Sequence, residues 1–158
     1  MIERRGILQF KEKDVSVVGM DLQPGGDAPE FRATTLDWQE INALETTRGK
    51  VRIIAAMPSL ETSVCDRETR RFNQEAARLG SDVRILTISC ELPFAQARWC
   101  GAAGVDALET LSDHRDLPFG AAYGVVTKAL RPLTRAICVV NRTGKVTYTE
   151  IVPEVSHE

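Results

Sequence analysis

The chain has 158 residues, of which 43% are hydrophobic and 27% are charged, and its formal net charge is −2 at pH 7. This length fits one globular domain, and we expect residues 1–158 to form a single one. The near-neutral charge offers no basic field for nucleic acid, and no apolar stretch approaches the roughly 20 residues that span a bilayer. We therefore expect no nucleic acid and no membrane as partners. The N-terminal segment lacks the apolar region of a secretory signal, which favours a cytoplasmic location.

The chain opens with a predicted β-hairpin. The runs Ile7–Lys11 and Val15–Val18 flank the polar residues Glu12, Lys13 and Asp14. Two β-rich runs separated by a short polar segment are typical of antiparallel strands joined by a turn. We place this N-terminal hairpin at about residues 6–19.

Strands and helices alternate in the rest of the chain. In order, the predicted elements are a Pro/Gly connector (22–29), an extended segment (29–34), a loop with a short helical turn (37–46), a buried strand (51–56), an amphipathic helix (about 63–79), a strand (83–89), a helix from 93 through 99 that ends at Gly101, a strand (108–112), a helix (117–123) and a closing hairpin of strands 135–140 and 145–151. Such alternation implies a partly parallel sheet with helices on its faces. The fold class is therefore α/β, with a mixed central sheet flanked by helices.

The stretch Pro58–Cys65 joins the buried strand to the first long helix. A cysteine near the start of a helix faces unpaired N–H groups and a partial positive charge, which favour the thiolate. Cys65 is therefore a candidate nucleophile. Thr62 can place a hydroxyl beside the sulfur, and Pro58 fixes the turn and can shield the pocket from water. Position alone leaves an equal alternative, a small buried core cysteine.

The other cysteines are Cys90, Cys100 and Cys138, and no two of the four form a Cys-x-x-Cys pair. This spacing argues against a zinc ribbon and against a thioredoxin-type redox pair. The histidines, His114 and His157, are too few and too far apart to suggest a tetrahedral metal site. We expect no metal and no cofactor.

Each of these cysteines has its own interpretation. Cys138 lies inside an apolar strand and is predicted to be core. Cys90 follows a strand, could be exposed and is a rival redox thiol. Cys100 ends a helical stretch before the small residues 101–104, which would let that segment unwind. Without further context, a half-buried helix cysteine is the simpler interpretation of Cys100.

The histidine and the aromatic residues are given structural roles. His114 lies in a charged loop and is interpreted as a loop residue rather than a general base, because a thiolate needs none. The aromatic residues are interpreted as packing residues (Trp38, Trp99) and as core or dimer contacts (Phe10, Phe31, Tyr123).

Two motifs resemble those of a known family. The pattern Pro-x-x-x-Thr-x-x-Cys, carried by Pro58, Thr62 and Cys65, resembles the active-site motif of the peroxiredoxins. Other parts of the sequence are similar to the thiol peroxidase branch, the atypical two-cysteine peroxiredoxins. These parts are Arg70, Phe72, Asn73 and the run from Glu91 to Gly101 (ELPFAQARWCG). The resemblance extends from about Gly6 to Pro153. It implies a thioredoxin-like fold and no metal, haem or flavin.

The resemblance also implies an activity and a set of roles. It implies a thiol-dependent peroxidase that reduces hydrogen peroxide and alkyl hydroperoxides, with Cys65 as the peroxidatic cysteine and Pro58, Thr62 and Arg135 around it. Arg135 matches the family's active-site arginine, although the residues alone leave Arg131 and Arg142 as competitors. Cys100 would resolve the sulfenic acid of Cys65 by forming an intramolecular disulfide with it.

The remaining implications concern partners and the end of the chain. Thioredoxin is the implied reductant, and a homodimer through the face carrying the active-site loop is implied. The family usually continues past the final strand into a C-terminal helix, which we expect to be missing because the sequence stops at Glu158.

Two other functions stay open at this point. In a redox sensor, the Cys65–Cys100 disulfide itself would be the output, and a protein partner would bind the refolded segment around Cys100. The protein could also be a non-catalytic binding module with a thioredoxin-like fold, which the set Thr62, Cys65 and Arg135 argues against.

Overall fold

The computed structural model describes residues 2–10, 13–128 and 132–152, with the backbone alone for residues 8–10 and 13–15. The strands are β1 (Glu3–Phe10), β2 (Lys13–Val18), β3 (Arg32–Thr34), β4 (Glu40–Asn42), β5 (Val51–Ala56), β6 (Val83–Ser89), β7 (Glu109–Ser112), β8 (Val126–Thr127), β9 (Ala136–Val140) and β10 (Val146–Ile151). The helices are α1 (Ala43–Thr46), α2 (Ser63–Leu79), α3 (Pro93–Ala103) and α4 (Pro118–Tyr123).

The larger sheet has the strand order β10-β9-β5-β6-β7-β3-β4. Its central strands β5, β6 and β7 are parallel, and β9 and β10 continue the sheet in antiparallel fashion. Helix α2 connects β5 to β6 and α3 connects β6 to β7, as parallel neighbours require a crossover. The predicted mixed sheet with flanking helices is confirmed. Because parallel strands end at the same edge, the segments after β5 and β6 meet there.

The central strand β5 supplies side chains to both faces of this sheet. Ile54 and Ala56 pack into the main hydrophobic core. Ala55 and Met57 belong instead to a smaller cluster that also contains Cys65, Trp99, Cys100, Leu60 and Val105. Successive side chains of a strand point to opposite faces, which explains the division. The two cysteines expected to react therefore lie in the same hydrophobic cluster.

A buried arginine interrupts the apolar run of β5. Arg52 is only 3% exposed, and its guanidinium donates to Thr47 Oγ1 at 3.0 Å, to the carbonyl oxygen of Leu44 at 2.8 Å and to that of Asn141 at 2.9 Å. A buried charge is tolerated when its donors have partners. Arg52 thereby ties the end of α1 and the β9–β10 turn to the central strand.

The N-terminal hairpin is confirmed. β1 and β2 pair antiparallel, with a register shift between Arg4 and Leu8, and β8 adds a third strand to this smaller sheet. Lys11, predicted to end the first strand, and Glu12, predicted in the turn, fall outside the described residues. Lys13 and Asp14 were also predicted in the turn, but they begin β2 instead. The sequence did not predict β8, because two residues, Val126 and Thr127, are too short a run to show a strand pattern.

Several boundaries differ from those predicted. Helix α3 does not end at Gly101: it continues to Ala103, and Gly104 forms its left-handed C-cap with φ 68°. The segment 37–46 contains the expected short helical turn as α1, but it also contains the strand β4, which was not predicted. Both errors come from short or glycine-rich segments whose structure is decided by contacts with neighbouring elements. Within the described ranges, no helix is long and apolar enough to cross a bilayer.

Candidate active site

The turn between β5 and α2 places Cys65 in the first turn of the helix. Thr62 is the N-cap of α2, with extended backbone angles of φ −75° and ψ 144°. Its Oγ1 accepts the backbone N–H of Cys65 at 3.2 Å, and its hydroxyl donates to the carbonyl oxygen of Ser59 at 3.2 Å. A threonine cap satisfies a helix N–H group that would otherwise lack a partner. The local sequence therefore puts Thr62 beside Cys65 for reasons of helix capping alone.

The Cys65 side chain is fully buried, with 0% of its surface exposed. Burial raises the pKa of the thiol, whereas contacts with the Thr62 side chain and the Ser59 backbone and the charge of Arg135 lower it. The sequence predicted that the helix N-terminus would favour the thiolate. In this conformation the loss of hydration opposes that effect, and the pKa of the Cys65 thiol is raised.

Arg135 lies at the same end of the sheet as Cys65. β9 pairs with β5 so that Ala136 is opposite Ala56, and Arg135 is thereby placed beside the end of β5. Arg135 is 4% exposed, and its charge lowers the pKa of the Cys65 thiol. Its Nη1 is buried and has no hydrogen-bond partner among the described residues. A buried unpaired donor is costly, and this one is available to a ligand oxygen.

Glu68 holds the arginine in this position. Arg135 Nε and Nη2 donate to Glu68 Oε2 at 3.2 and 3.1 Å. Glu68 is three residues after Cys65 on α2, so both residues lie on the same side of the helix. Glu68 was not among the residues predicted from the sequence. The Cys-x-x-Glu spacing on a predicted helix was the available signal, but without knowing where Arg135 lies it has no meaning.

Glu91 fixes the turn that contains Pro58. The Glu91 carboxylate accepts the backbone N–H of Leu60 at 2.7 Å and the hydroxyls of Ser59 and Ser89 at 3.0 Å each. These bonds join the turn after β5 to the end of β6. Glu91 was singled out only as part of a family motif, and its contacts give it a physical role. Pro58 itself is half-buried within this turn.

Cys100 lies on α3, in the same cluster as Cys65. It is 6% exposed, and its Sγ is 3.5 Å from the hydroxyl oxygen of Thr110 on β7. Burial raises the pKa of the Cys100 thiol, and the contact with Thr110 lowers it. Both cysteines are free thiols in this structure.

The other two cysteines pack elsewhere. Cys138 is 8% exposed and belongs to the main core, as predicted, and half-buried Cys90 packs against that core. Burial raises the pKa of each thiol to about 11. Cys65 and Cys100 share the other cluster. This placement favours Cys100 over Cys90 as the second redox thiol.

His114 and Trp38 lie together near the surface. His114 Nδ1 is 2.9 Å from the Ser112 hydroxyl oxygen, and the His114 and Trp38 ring centroids are 5.5 Å apart. Trp38, interpreted above as a packing residue, is instead 39% exposed, and it lies 4.8 Å from the ring of Phe94, which is 72% exposed. Its backbone is left-handed, with φ 65°. Phe31 and Tyr123 are core residues, whereas the Phe10 side chain falls outside what is described.

The described residues contain no group of three or more His, Cys, Asp or Glu side chains arranged to hold a metal ion. The polar groups at the site are a thiol, a hydroxyl and a guanidinium paired with a carboxylate. Such a set can lower the pKa of a thiol against the effect of burial and can donate hydrogen bonds to a small oxygen-containing molecule.

Comparison with known proteins identifies the family. Residues 23–158 match the Redoxin family model. A thiol peroxidase of Bacillus subtilis (strain 168) is 51% identical over 150 residues, which cover 95% of this chain and 89% of that protein. A thiol peroxidase of Listeria monocytogenes serotype 4b (strain F2365) is 51% identical over 147 residues, which cover 93% of this chain and 88% of that protein.

Solved structures agree with this fold. A peroxiredoxin-like protein from Aquifex aeolicus superposes with a TM-score of 0.88 at 34% identity, covering 98% of this chain and 91% of that one. A thiol peroxidase from Chromobacterium violaceum has the same fold, with a TM-score of 0.83 at 22% identity over 95% of this chain and 87% of that one. The family model spans most of the chain and the relatives share half of its residues, so the chain belongs to the Redoxin family and, within it, to the thiol peroxidases, which reduce peroxides with a cysteine thiol.

Proposed function

We propose that Cys65 is the peroxidatic residue of this thiol peroxidase. Its thiolate attacks one oxygen of a hydroperoxide, the O–O bond breaks, and the second oxygen takes a proton and leaves as water or an alcohol. The sulfur is oxidised by two electrons to a sulfenic acid as the peroxide is reduced by two. The observation that carries this proposal is the unpaired, buried Nη1 of Arg135, whose charge acts on the Cys65 thiol.

The transition state needs donors aimed at the oxygens. Negative charge moves from the sulfur to the leaving oxygen, and fixed donors in a dry site stabilise it most effectively. The Arg135 guanidinium, held by Glu68, supplies a fixed positive charge and a free N–H. Thr62 supplies a hydroxyl beside the sulfur. Because the thiol is fully buried, peroxide reaches it when the turn containing Pro58 moves aside.

Cys100 then resolves the sulfenic acid. The Cys100 sulfur attacks the Cys65 sulfur, the Cys65 S–O bond breaks, and a disulfide and one water form. The support for this step is the packing of Cys65 and Cys100 in one hydrophobic cluster, with no covalent bond between them. The step requires α3 to leave its place against β7, where Cys100 contacts Thr110.

A dithiol protein of the thioredoxin type completes the cycle in this proposal. One of its thiolates attacks the Cys65–Cys100 disulfide, and its second thiol releases the two cysteines reduced. The buried free thiols suit a reducing compartment, and this supports the cytoplasm as the location. We further propose that the hydroperoxide is hydrogen peroxide or an alkyl hydroperoxide and that residues 1–158 act as a single domain.

A homodimer is also part of the proposal. Trp38, Phe94 and Leu92 form an exposed apolar patch next to the turn that Glu91 fixes, with exposed fractions of 39%, 72% and 50%. Exposed aromatic clusters are enriched at interfaces between protein subunits. The left-handed backbone of Trp38 is costly for a bulky residue, and such cost is typical of functional positions.

The function is tested by peroxide consumption coupled to thioredoxin, thioredoxin reductase and NADPH. We expect turnover by the wild type and none by Cys65→Ser. Cys100→Ser is expected to consume one equivalent of peroxide but to lose thioredoxin-linked cycling.

Two results would contradict the assignment. Full activity of Cys65→Ser would show that another group attacks the peroxide. Stoichiometric formation of the disulfide by the wild type without turnover would replace the peroxidase with a redox sensor.

A further inference from the structure

The residue after Cys65 and the residue before Cys100 are joined by a hydrogen bond. Asp66 Oδ2 accepts the indole N–H of Trp99 at 3.0 Å, and Asp66 Oδ1 accepts the Nε–H of Arg70 at 2.6 Å. Trp99 is 8% exposed, so its indole N–H has little access to water if the bond breaks. Hydrogen bonds to a charged acceptor are among the stronger ones. The two cysteine-bearing helices are thus connected directly beside both cysteines.

Arg70 adds two further contacts between α2 and α3, one with Trp99 and one with the C-terminal end of α3. Its guanidinium carbon lies 5.6 Å from the centroid of the Trp99 ring, within the range of a cation–π contact. Its Nη1 donates to the carbonyl oxygen of Ala103 at 3.3 Å. Ala103 is the last residue of α3, where carbonyl groups lack helical partners and carry partial negative charge. Arg70 therefore binds the end of α3 as well as the Trp99 side chain.

Resolution as proposed above moves α3 away from β7, and these contacts oppose that movement. Cys100 packs towards β7, with its Sγ 3.5 Å from Thr110 Oγ1. For its sulfur to attack the sulfur of Cys65, α3 must shift or unwind, and Trp99, its neighbour, must leave Asp66. The contacts made by Asp66 and Arg70 thus set how often the resolving thiol becomes available.

We propose that Asp66, Arg70 and Trp99 form a latch that restrains α3, so that the strength of this latch sets the rate of disulfide formation. The inference rests on the proposed function. The three residues are positioning residues rather than catalytic ones, since their contacts are with each other and with α3. Trp99 also packs in the hydrophobic cluster that contains Cys65, and this contact is one of packing.

The latch also determines a second outcome. The sulfenic acid has two competing fates. Attack by Cys100 gives the disulfide and water, whereas attack on a second hydrogen peroxide gives the sulfinic acid and water, with the sulfur oxidised by two further electrons. The first rate is independent of peroxide and the second is proportional to it. A weaker latch therefore means a smaller sulfinic acid fraction at a given peroxide concentration.

The test compares Asp66→Asn, Trp99→Phe and Arg70→Gln with a matched control, Glu75→Gln. Glu75 pairs with Arg78 on the same helix, at the exposed surface. Asp66→Asn removes a charge near Cys65, whereas Trp99→Phe keeps it. An effect shared by both variants therefore comes from the lost contact. Arg70→Gln provides a third variant on the exposed side of the latch.

Rapid mixing of the reduced proteins with hydrogen peroxide, followed by acid quenching and mass spectrometry, resolves the steps. We expect disulfide formation to be about three- to tenfold faster in the latch variants than in Glu75→Gln, as loss of a charged hydrogen bond allows. The rate of the first oxidation should stay within about twofold, and the ratio of sulfinic acid to disulfide at a given peroxide concentration should fall in the same proportion as disulfide formation rises.

The outcomes separate the latch from the function. Disulfide formation at the control rate, or slower, in Asp66→Asn and Trp99→Phe overturns the latch while leaving the peroxidase assignment intact. Absence of any peroxide-dependent oxidation of Cys65 in the wild type overturns the proposed function itself, and the latch with it.

Discussion

Two residues act on the Cys65 thiol in opposite electrostatic directions. The charge of Arg135 lowers the pKa of this thiol, and the charge of Glu68 raises it. Glu68 nevertheless holds Arg135 through two hydrogen bonds to one carboxylate oxygen. Glu68 therefore works against ionisation of the thiol while fixing the donor that the transition state needs. The positioning of Arg135 and the pKa of the Cys65 thiol can be separated by substituting Arg135 and Glu68 one at a time.

The first prediction concerns the rate at a pH where the thiol is fully ionised. Arg135→Gln should lower the second-order rate constant with hydrogen peroxide about a hundredfold, because the site loses its charged donor. Glu68→Gln should lower it about tenfold, because Arg135 stays but is less well fixed. Stopped-flow oxidation of the reduced proteins measures both. Equal rate constants for Glu68→Gln and Glu75→Gln would show that Arg135 needs no such partner.

The second prediction concerns the pH profile of the same reaction. The rate rises with pH as the Cys65 thiol ionises. Removing the positive charge in Arg135→Gln raises the pKa and moves this rise to higher pH, whereas removing the negative charge in Glu68→Gln lowers the pKa and moves it to lower pH. Thiolate absorbance in the ultraviolet provides an independent titration. A shift in the same direction for both variants would contradict the electrostatic assignment.

At the scale of elements, long patterned segments were predictable from sequence and contact-dependent ones were not. β5, α2 and β6 have the predicted bounds because each combines a clear hydrophobic pattern with a turn or cap signal. The predicted end of α3 was wrong because residues 101–103 are small and show no clear hydrophobic pattern. In addition, Arg70 of α2 binds the carbonyl oxygen of Ala103. The latch and the Glu68–Arg135 pair depend on how the helices and strands pack against each other. The spacing of residues along the sequence does not reveal that packing.

The third prediction concerns the connection between the turn after β5 and the end of β6. Glu91→Ala removes the acceptor for Leu60, Ser59 and Ser89, so the turn that carries Pro58 should loosen. We expect the rate constant of the first oxidation to fall about tenfold. Glu91→Gln should retain most of the rate, because its amide oxygen still accepts the backbone N–H of Leu60.

Stopped-flow oxidation and thermal unfolding of the two Glu91 variants provide the comparison. Equal losses of rate in Glu91→Gln and Glu91→Ala would mean that the negative charge, rather than the hydrogen bonds, is what the turn requires. Unchanged rates in both would remove Glu91 from any role in positioning the turn.

At the scale of the whole molecule, the site combines segments that are distant in the chain. The turn and α2 provide Thr62, Cys65 and Glu68, the segment after β6 provides Glu91 and Cys100, and the start of β9 provides Arg135. The parallel order of β5, β6 and β7 brings the first two segments to one edge, and the antiparallel pairing of β9 with β5 brings the third. The fold therefore makes one site of three sequence regions. Two of them carry motifs, and Arg135 in the third was predicted only from the family resemblance.

The exposed patch beside this site leads to the last prediction. Phe94 packs on Trp38 but is 72% exposed, so most of its ring remains in contact with water in a single copy of the chain. In a homodimer through this patch, Phe94→Asp would bury an unpaired carboxylate. We expect it to weaken self-association by about thirtyfold or more, as for a central interface residue. Leu79→Asp is the matched control, because Leu79 is 45% exposed at the end of α2.

Sedimentation velocity over a range of protein concentrations measures this effect. The wild type and Leu79→Asp should sediment as dimers at concentrations at which Phe94→Asp sediments as a monomer. Dimers of equal strength in Phe94→Asp and Leu79→Asp would place the interface on another surface, and a wild type that is monomeric throughout would contradict the homodimer.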